Sequence, residues 1–195
     1  MHPGFLKLKT IVKMIEEETV IAQTKKWITD IVIGCNFCPF AAKEVKQNTL
    51  HYQVESGKRI EEGISAFLKE CIRLDDNENI ETTLLLFPQS FQKFDDYLNL
   101  ISHAENLLRK KKYEGIYQLA SFHPLYCFSG ASMDDAANFT NRSPYPMLHI
   151  LREDSVEQAL EKYPHPEKIP ENNISFTREK GYEYMKKLRE ACLKN

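Results

Sequence analysis

The chain has 195 residues, 42% of them hydrophobic and 28% charged, with a formal net charge of −2. That is enough chain for one domain with a sizeable core, and too apolar a composition for a disordered protein. The near-neutral balance excludes the broad basic footprint of a dedicated DNA or RNA binder.

The N-terminus alternates apolar residues and lysines (Phe5, Leu6, Lys7, Leu8, Lys9). The lysines interrupt what would have to be the apolar core of a signal peptide. No apolar run of about 18 residues follows, so no membrane-spanning helix is expected. Val20, Trp27, Ile28, Ile31 and Val32 recur at helical spacing and predict a helix over residues 16–33, ended by Gly34. Residues 1–15 extend it backwards or form an arm. Cys35 and Cys38 then stand at Cys-x-x-Cys spacing, but no second pair completes a zinc site. Pro39 suits the first position of a short helix, which puts Cys38 at its cap, where free N–H groups lower a thiol pKa. Five cysteines, an odd number, fit reduced thiols in a cytoplasmic protein better than a disulfide framework.

Leu50 to Glu55 alternates as a strand, and Ile60, Ile64, Phe67, Leu68 and Cys71 mark one helix face. The run Ile80 to Phe87 (IETTLLLF) is apolar on both alternating faces and stops at Pro88, which predicts a central, doubly buried strand. A helix capped by Ser90 follows, closing on Arg109-Lys110-Lys111-Lys112, cations that suit a helix C-terminus. Ile116 to Phe122 is the third strand and Pro144 to Leu151, after its prolines, the fourth. A short helix begins at Asp154 or Ser155. Three prolines keep Tyr163 to Pro170 out of regular structure. A last helix carries Tyr182, Met185, Leu188 and Cys192. The expected fold is α/β (or α+β): one domain over 1–195, with a mixed, mainly parallel sheet of about four strands packed with helices. A two-layer sandwich is favoured, with residues 176–195 as an accessory C-terminal helix.

Chemistry concentrates between the third and fourth strands. Residues 120–153 hold His123, Asp134, Asp135, Asn138, Asn141, Arg142, Ser143, Tyr145, His149 and Arg152 among short apolar runs. Loops of this density on a rigid scaffold are where binding and catalysis usually sit. His123 stands at a strand's carboxyl end, the ligand side of open α/β sheets. Arg142 and Arg152 offer planar forks for a carboxylate or phosphate. Asn138, Asn141, Ser143 and Tyr145 supply further hydrogen-bonding groups. The structural alternative is a loop stapled by its own hydrogen bonds.

Segments GCNFCPFA, ETTLLLFP, EGIYQLASFHPLYCFSG, DDAANFTNRSPYPMLHILRE and IPENN resemble a family catalogued as domain of unknown function 1415. The resemblance covers roughly residues 20–175 and implies no activity, cofactor or catalytic residue. Its pattern keeps Cys-Pro-Phe at Cys38 and an aliphatic residue at Cys35, which leaves Cys38 as the cysteine to test.

Three functions fit these residues. The leading one is an enzyme acting on a small anionic metabolite, with Arg142 and Arg152 gripping the anion, His123 as general acid/base, and Asp134 or Asp135 orienting it. Cys38 is a candidate nucleophile. The second is a non-catalytic ligand-binding or regulatory protein. The third is metal-assisted hydrolysis by His123, His149 and an Asp, although no metal-ligand spacing is present. The expected partner is a small anion rather than nucleic acid or membrane, and no cofactor is specified.

Overall fold

A computed structural model describes residues 3–194, with side chains for residues 13–194 apart from Ile15. The side chains of the Phe5 to Lys9 alternation, and Met1 and His2, lie outside the described residues. The backbone runs as helix α1 from Pro3 to Trp27, so residues 3–15 extend the helix backwards. A π-helical turn, Ile28–Ile33, follows. Gly34 closes it because a Cβ there would run into the Asp30 carbonyl oxygen.

The remaining elements are α2 (Ala41–Gln47), β1 (Leu50–Val54), α3 (Ile60–Asp76), β2 (Thr82–Leu86), α4 (Phe94–Lys111), β3 (Tyr117–Phe122), β4 (Met147–Arg152), α5 (Glu153–Glu161), α6 (Ile169–Lys180) and α7 (Tyr182–Ala191). A 3-10 turn, Ala136–Thr140, interrupts the long loop. Ser90 does not cap α4: the helix begins after Lys93, and Gln92 instead gathers the carbonyls of Phe87, Pro88 and Ser90. Helix α6 arises inside the proline-rich stretch because Pro170 occupies its first turn, where a missing N–H costs nothing.

The strands form one mixed sheet in the order β1-β2-β4-β3. β1 and β2 pair in parallel, but β4 lies antiparallel between β2 and β3. The expected mainly parallel sheet is therefore corrected to a mostly antiparallel pairing. The reason lies in the loop. It leaves the carboxyl end of β3 and re-enters the sheet at that same end, which demands an antiparallel neighbour.

Helices cover both faces, so the two-layer expectation is corrected as well. Phe67, Leu74, Tyr97 and Leu100 from α3 and α4 pack with Leu85, Leu148 and Ile150 on one face. Val20, Trp27, Ile31 and Met185 pack with Leu84, Leu86 and Met147 on the other, so α7 belongs to the core rather than decorating it. β2 sits between two neighbours and is buried at every position, as its apolar run requires. Burying one leucine of this kind contributes roughly 1.5–3 kcal/mol.

Candidate functional site

His123 ends β3 on the face covered by α4, wholly buried against the rings of Tyr97 and Phe94, at 4.9 and 5.2 Å. Both ring nitrogens are engaged. Nε2–H donates to the Phe91 carbonyl at 2.9 Å, and Nδ1 accepts the Leu125 amide at 3.0 Å. The Phe91 carbonyl is aimed at the ring by a left-handed backbone, φ 56°, unusual for so bulky a residue. Burial pushes the His123 pKa down and favours the neutral ring this pattern needs. A histidine so bound has no nitrogen left for proton transfer, and no acid orients it. These contacts join the end of β3 and the loop to α4 and the segment ahead of it.

The loop's other polar side chains converge, but largely on the loop's own backbone. Asn138 is buried, accepting from Phe128 N–H and donating to Ser132 O. Asn141 donates to Ser121 O at 3.3 Å and accepts from the Thr140 hydroxyl. Ser143 donates to Tyr145 O at 2.6 Å, and the Tyr145 hydroxyl donates to Gln23 Oε1 on α1. Asp135 caps the 3-10 turn through Ala137 N–H and pairs with Arg178 of α6 at 2.7 Å. That guanidinium pulls the Asp135 pKa down to about 2. Asp134 is exposed and apart from this network. Such satisfaction is expected of buried polar groups, since each left unpaired costs about 1–3 kcal/mol.

Arg142 is 4% exposed. Its Nε and Nη2 donate to the carbonyls of Tyr126 and Met133 at 3.0 and 2.8 Å, so the fork assigned to an anion is occupied by backbone. The guanidinium lies 4.9 Å from the centroid of the Phe139 ring. At the other end of the strand, Arg152 donates to the carbonyls of Leu74, Asn77 and Ile80, closing the C-terminal end of α3. Arg142 and Arg152 flank opposite ends of the six-residue β4, which spans roughly 20 Å. They cannot grip one small anion.

His149 and His123 face opposite sides of the sheet and cannot share a metal. His149 Nε2 meets Thr82 Oγ1 at 2.6 Å, and burial lowers its pKa to about 4. No cluster of three His, Cys, Asp or Glu side chains suited to a metal ion occurs among the described residues. The expected cap position is corrected: α2 begins at Ala41 with Phe40 as its N-cap, so Cys38 stands two residues ahead of the cap and Pro39 lies outside the helix, although the amides of Phe40 and Ala41 are directed at the Cys38 thiol. Burial outweighs them and raises its pKa, so the activated thiolate expected from sequence is corrected to a protonated thiol. All five cysteines are free.

One residue of the cluster escaped sequence reasoning. Arg189 of α7 donates Nη1 to the Pro124 carbonyl at 2.6 Å and lies 6.0 Å from the centroid of the same Phe139 ring. Its Nε is buried with no hydrogen-bond partner. Burial first, then the nearby Arg142 charge, depress its pKa. Neither Arg142 nor Arg189 forms an ion pair with a carboxylate among the described residues. The signal was present in the sequence: Arg189 sits four residues after Met185 and three before Cys192, on the apolar stripe of the last helix. Two surface clefts, of about 220 and 400 Å³, lie elsewhere, one beside Lys25, Glu44 and Tyr52, the other beside Ile64, His103 and Lys110.

The model of a protein family of unknown function, DUF1415, matches residues 19–187. The chain belongs to that family. The match takes in the whole cluster except Arg189, which lies two residues beyond it. No curated protein and no solved structure matches the chain. No helix among the described residues is long and apolar enough to cross a membrane.

Proposed function

We propose that this DUF1415 protein is a non-catalytic binder of a small anion held beside Phe139 by Arg142 and Arg189. The observation that carries the reading is the pair of guanidinium groups against one ring, neither in an ion pair among the described residues, one of them with a buried unpartnered Nε and a charge that Glu190 offsets only in part. Buried cations are normally paired, because desolvating an uncompensated charge costs several kcal/mol. Carbonyl oxygens and the faces of Phe139 and Tyr182 offset part of that cost for Arg142. Arg189 keeps an excess that an anion would cancel. Binding is favoured over acid–base catalysis because both His123 nitrogens are bonded to backbone. Five free thiols support a reducing, cytoplasmic setting.

Melting temperature against anion concentration tests the reading, with sodium chloride as the screening control. Anions that bind should raise the melting temperature of the wild type and leave Arg189→Met unmoved, since native-state ligands stabilise by mass action. Without anion, Arg189→Met should melt at or above the wild-type temperature, because it removes an uncompensated charge. A large drop in that variant, with no anion response in the wild type, would make Arg189 a structural strut and end the proposal.

A further inference from the structure

The strand order leaves β1 and β3 with one unpaired side each, and the two edges differ in how that side is answered. Glu55 N–H donates to Leu86 O and Thr49 O accepts from Glu81 N–H, so the odd-numbered residues of this segment face β2. The even-numbered residues of β1, Leu50, Tyr52 and Val54, turn their backbone outward. Among the described residues, Gln53 Nε2 takes the Val54 carbonyl, while the Leu50 carbonyl, both Tyr52 groups and the Val54 N–H have no hydrogen bond. On β3 the chain closes its own outer edge. Tyr117 N–H donates to Tyr113 O, His123 N–H to Asn141 O, and Asn141 Nδ2 to Ser121 O. We propose that the outer edge of β1 docks an extended peptide segment of another protein, one that carries an acidic side chain.

A strand added to such an edge lies about 4.8 Å from it and is held by main-chain hydrogen bonds, while pockets beside the edge select its side chains. One row of those side chains falls on the face of Leu50 and Tyr52. There a cleft of about 220 Å³ opens, lined by Lys25, Glu44, Val45, Leu50 and Tyr52 among others. Lys25 is exposed, its ammonium 5.2 Å from the Tyr52 ring centroid, and it forms no ion pair with a carboxylate among the described residues. Glu44 is already answered: Oε2 accepts from the Thr49 hydroxyl at 2.6 Å, and Oε1 pairs with Lys43 at 3.1 Å. The unanswered charge in the cleft is one cation, which an aspartate or glutamate of the added strand meets. Val45, 40% exposed, and Leu50 suit an apolar or β-branched neighbour on the same face of that strand. A second copy of this chain fits less well. Pairing β1 with its own mate about Tyr52 would set two Lys25 cations on one face of the shared sheet, beside the axis.

Panning a random ten-residue peptide library, displayed on phage, against the full chain tests the proposal. Selected peptides should carry an acid between β-branched or apolar residues. Their synthetic copies should bind Lys25→Glu, a change at an exposed position, at least tenfold more weakly than the wild type. N-methylation of alternate peptide amides keeps the side chains but removes main-chain donors, and in one of its two registers should abolish binding. In the wild type, saturating peptide should slow amide hydrogen exchange at Tyr52 and Val54 at least tenfold, a measurement that needs no variant to fold. No selected peptide, or amides of Tyr52 and Val54 left unprotected, would overturn the docking edge. Equal binding to Lys25→Glu would overturn the acidic side chain. A dimer in sedimentation that protects the same amides without peptide would give the edge to a second copy and overturn the partner.

Discussion

The two ends of β4 solve the same problem with the same side chain and arrive at different outcomes. At the carboxyl end, Arg152 gives its hydrogen bonds to the carbonyls of Leu74 in the last turn of α3, of its C-cap Asn77 and of Ile80 in the loop beyond, where the helix dipole also favours a cation. Its charge is accounted for by the fold. At the amino end, Arg142 is bound by two carbonyls but shares the Phe139 ring with a second guanidinium. On the proposed reading, charge there exceeds what the backbone offsets. An arginine's identity does not separate a staple from a binding group. The distinction lies in how many of its donors, and its neighbours' donors, remain unanswered.

The strand beside both ends supplies the largest expected effect. Leu85 of β2 is fully buried opposite Leu148. Leu85→Asp loses roughly 1.5–3 kcal/mol of burial and adds a desolvated charge costing several more. Against a total stability of about 5–15 kcal/mol, soluble expression should fail. A well-folded Leu85→Asp protein would undo the common scaffold on which the comparison of the two ends depends.

The contrast between the ends is sharpest in three methionine variants measured by urea unfolding. Arg152→Met strands three carbonyls and Arg142→Met two, and each should lose about 2–4 kcal/mol. Arg189→Met should change stability by less than about 1 kcal/mol in anion-free buffer, being tied to a single carbonyl. Equal, large losses in all three would mean that the amino end is as fully stapled as the carboxyl end.

Much of this fold was legible as pattern. The apolar run at β2, the helical spacing of α3 and α4, and the stripe of α7 each announce a buried face. The β4 direction was legible too: a loop without a crossover helix returns at the end it left. The site was harder. A sequence reports that Arg142, His123 and Asn138 are polar and close in the chain, but backbone carbonyls carry no residue signature. Tyr126, Met133, Phe91 and Ser132 therefore gave no sign that their main chains would occupy those donors. Arg189, a charge on an apolar stripe, violated its local pattern, as Glu70 does on the buried face of α3, and such violations are where function is expected.

A smaller effect separates the two faces of the sheet rather than the two ends of the strand. His149 has its pKa lowered to about 4 by burial, with His123 and His51 lowered in the same sense. A group with a depressed folded pKa binds protons more readily when unfolded. The stability from keeping His149 neutral is present above its unfolded value near 6.5 and lost as the pH falls toward 4. A shift of that size corresponds to on the order of 3 kcal/mol across the window. His149→Gln should flatten the fall in melting temperature between about pH 6.5 and 4 without touching anion binding. An unchanged slope would assign the pH dependence to other groups.

The smallest expected effect concerns Cys38, whose two directed amides mirror the carbonyl-bound arginines with the sign of the charge reversed. The amides favour a thiolate, yet removal from water opposes it more strongly, so the thiol pKa rises. Polar partners alone do not activate a buried group, just as unanswered donors alone make Arg189 available. Iodoacetamide labelling of the folded protein at about pH 7 should therefore be slower at Cys38 than at the more accessible Cys35, although burial raises the pKa there too. The rates should converge once the chain is unfolded in urea. Cys38 modified first in the native protein, with an apparent pKa below that of an ordinary thiol, would mean that the short helix does activate it, and would return a nucleophile to this end of the molecule.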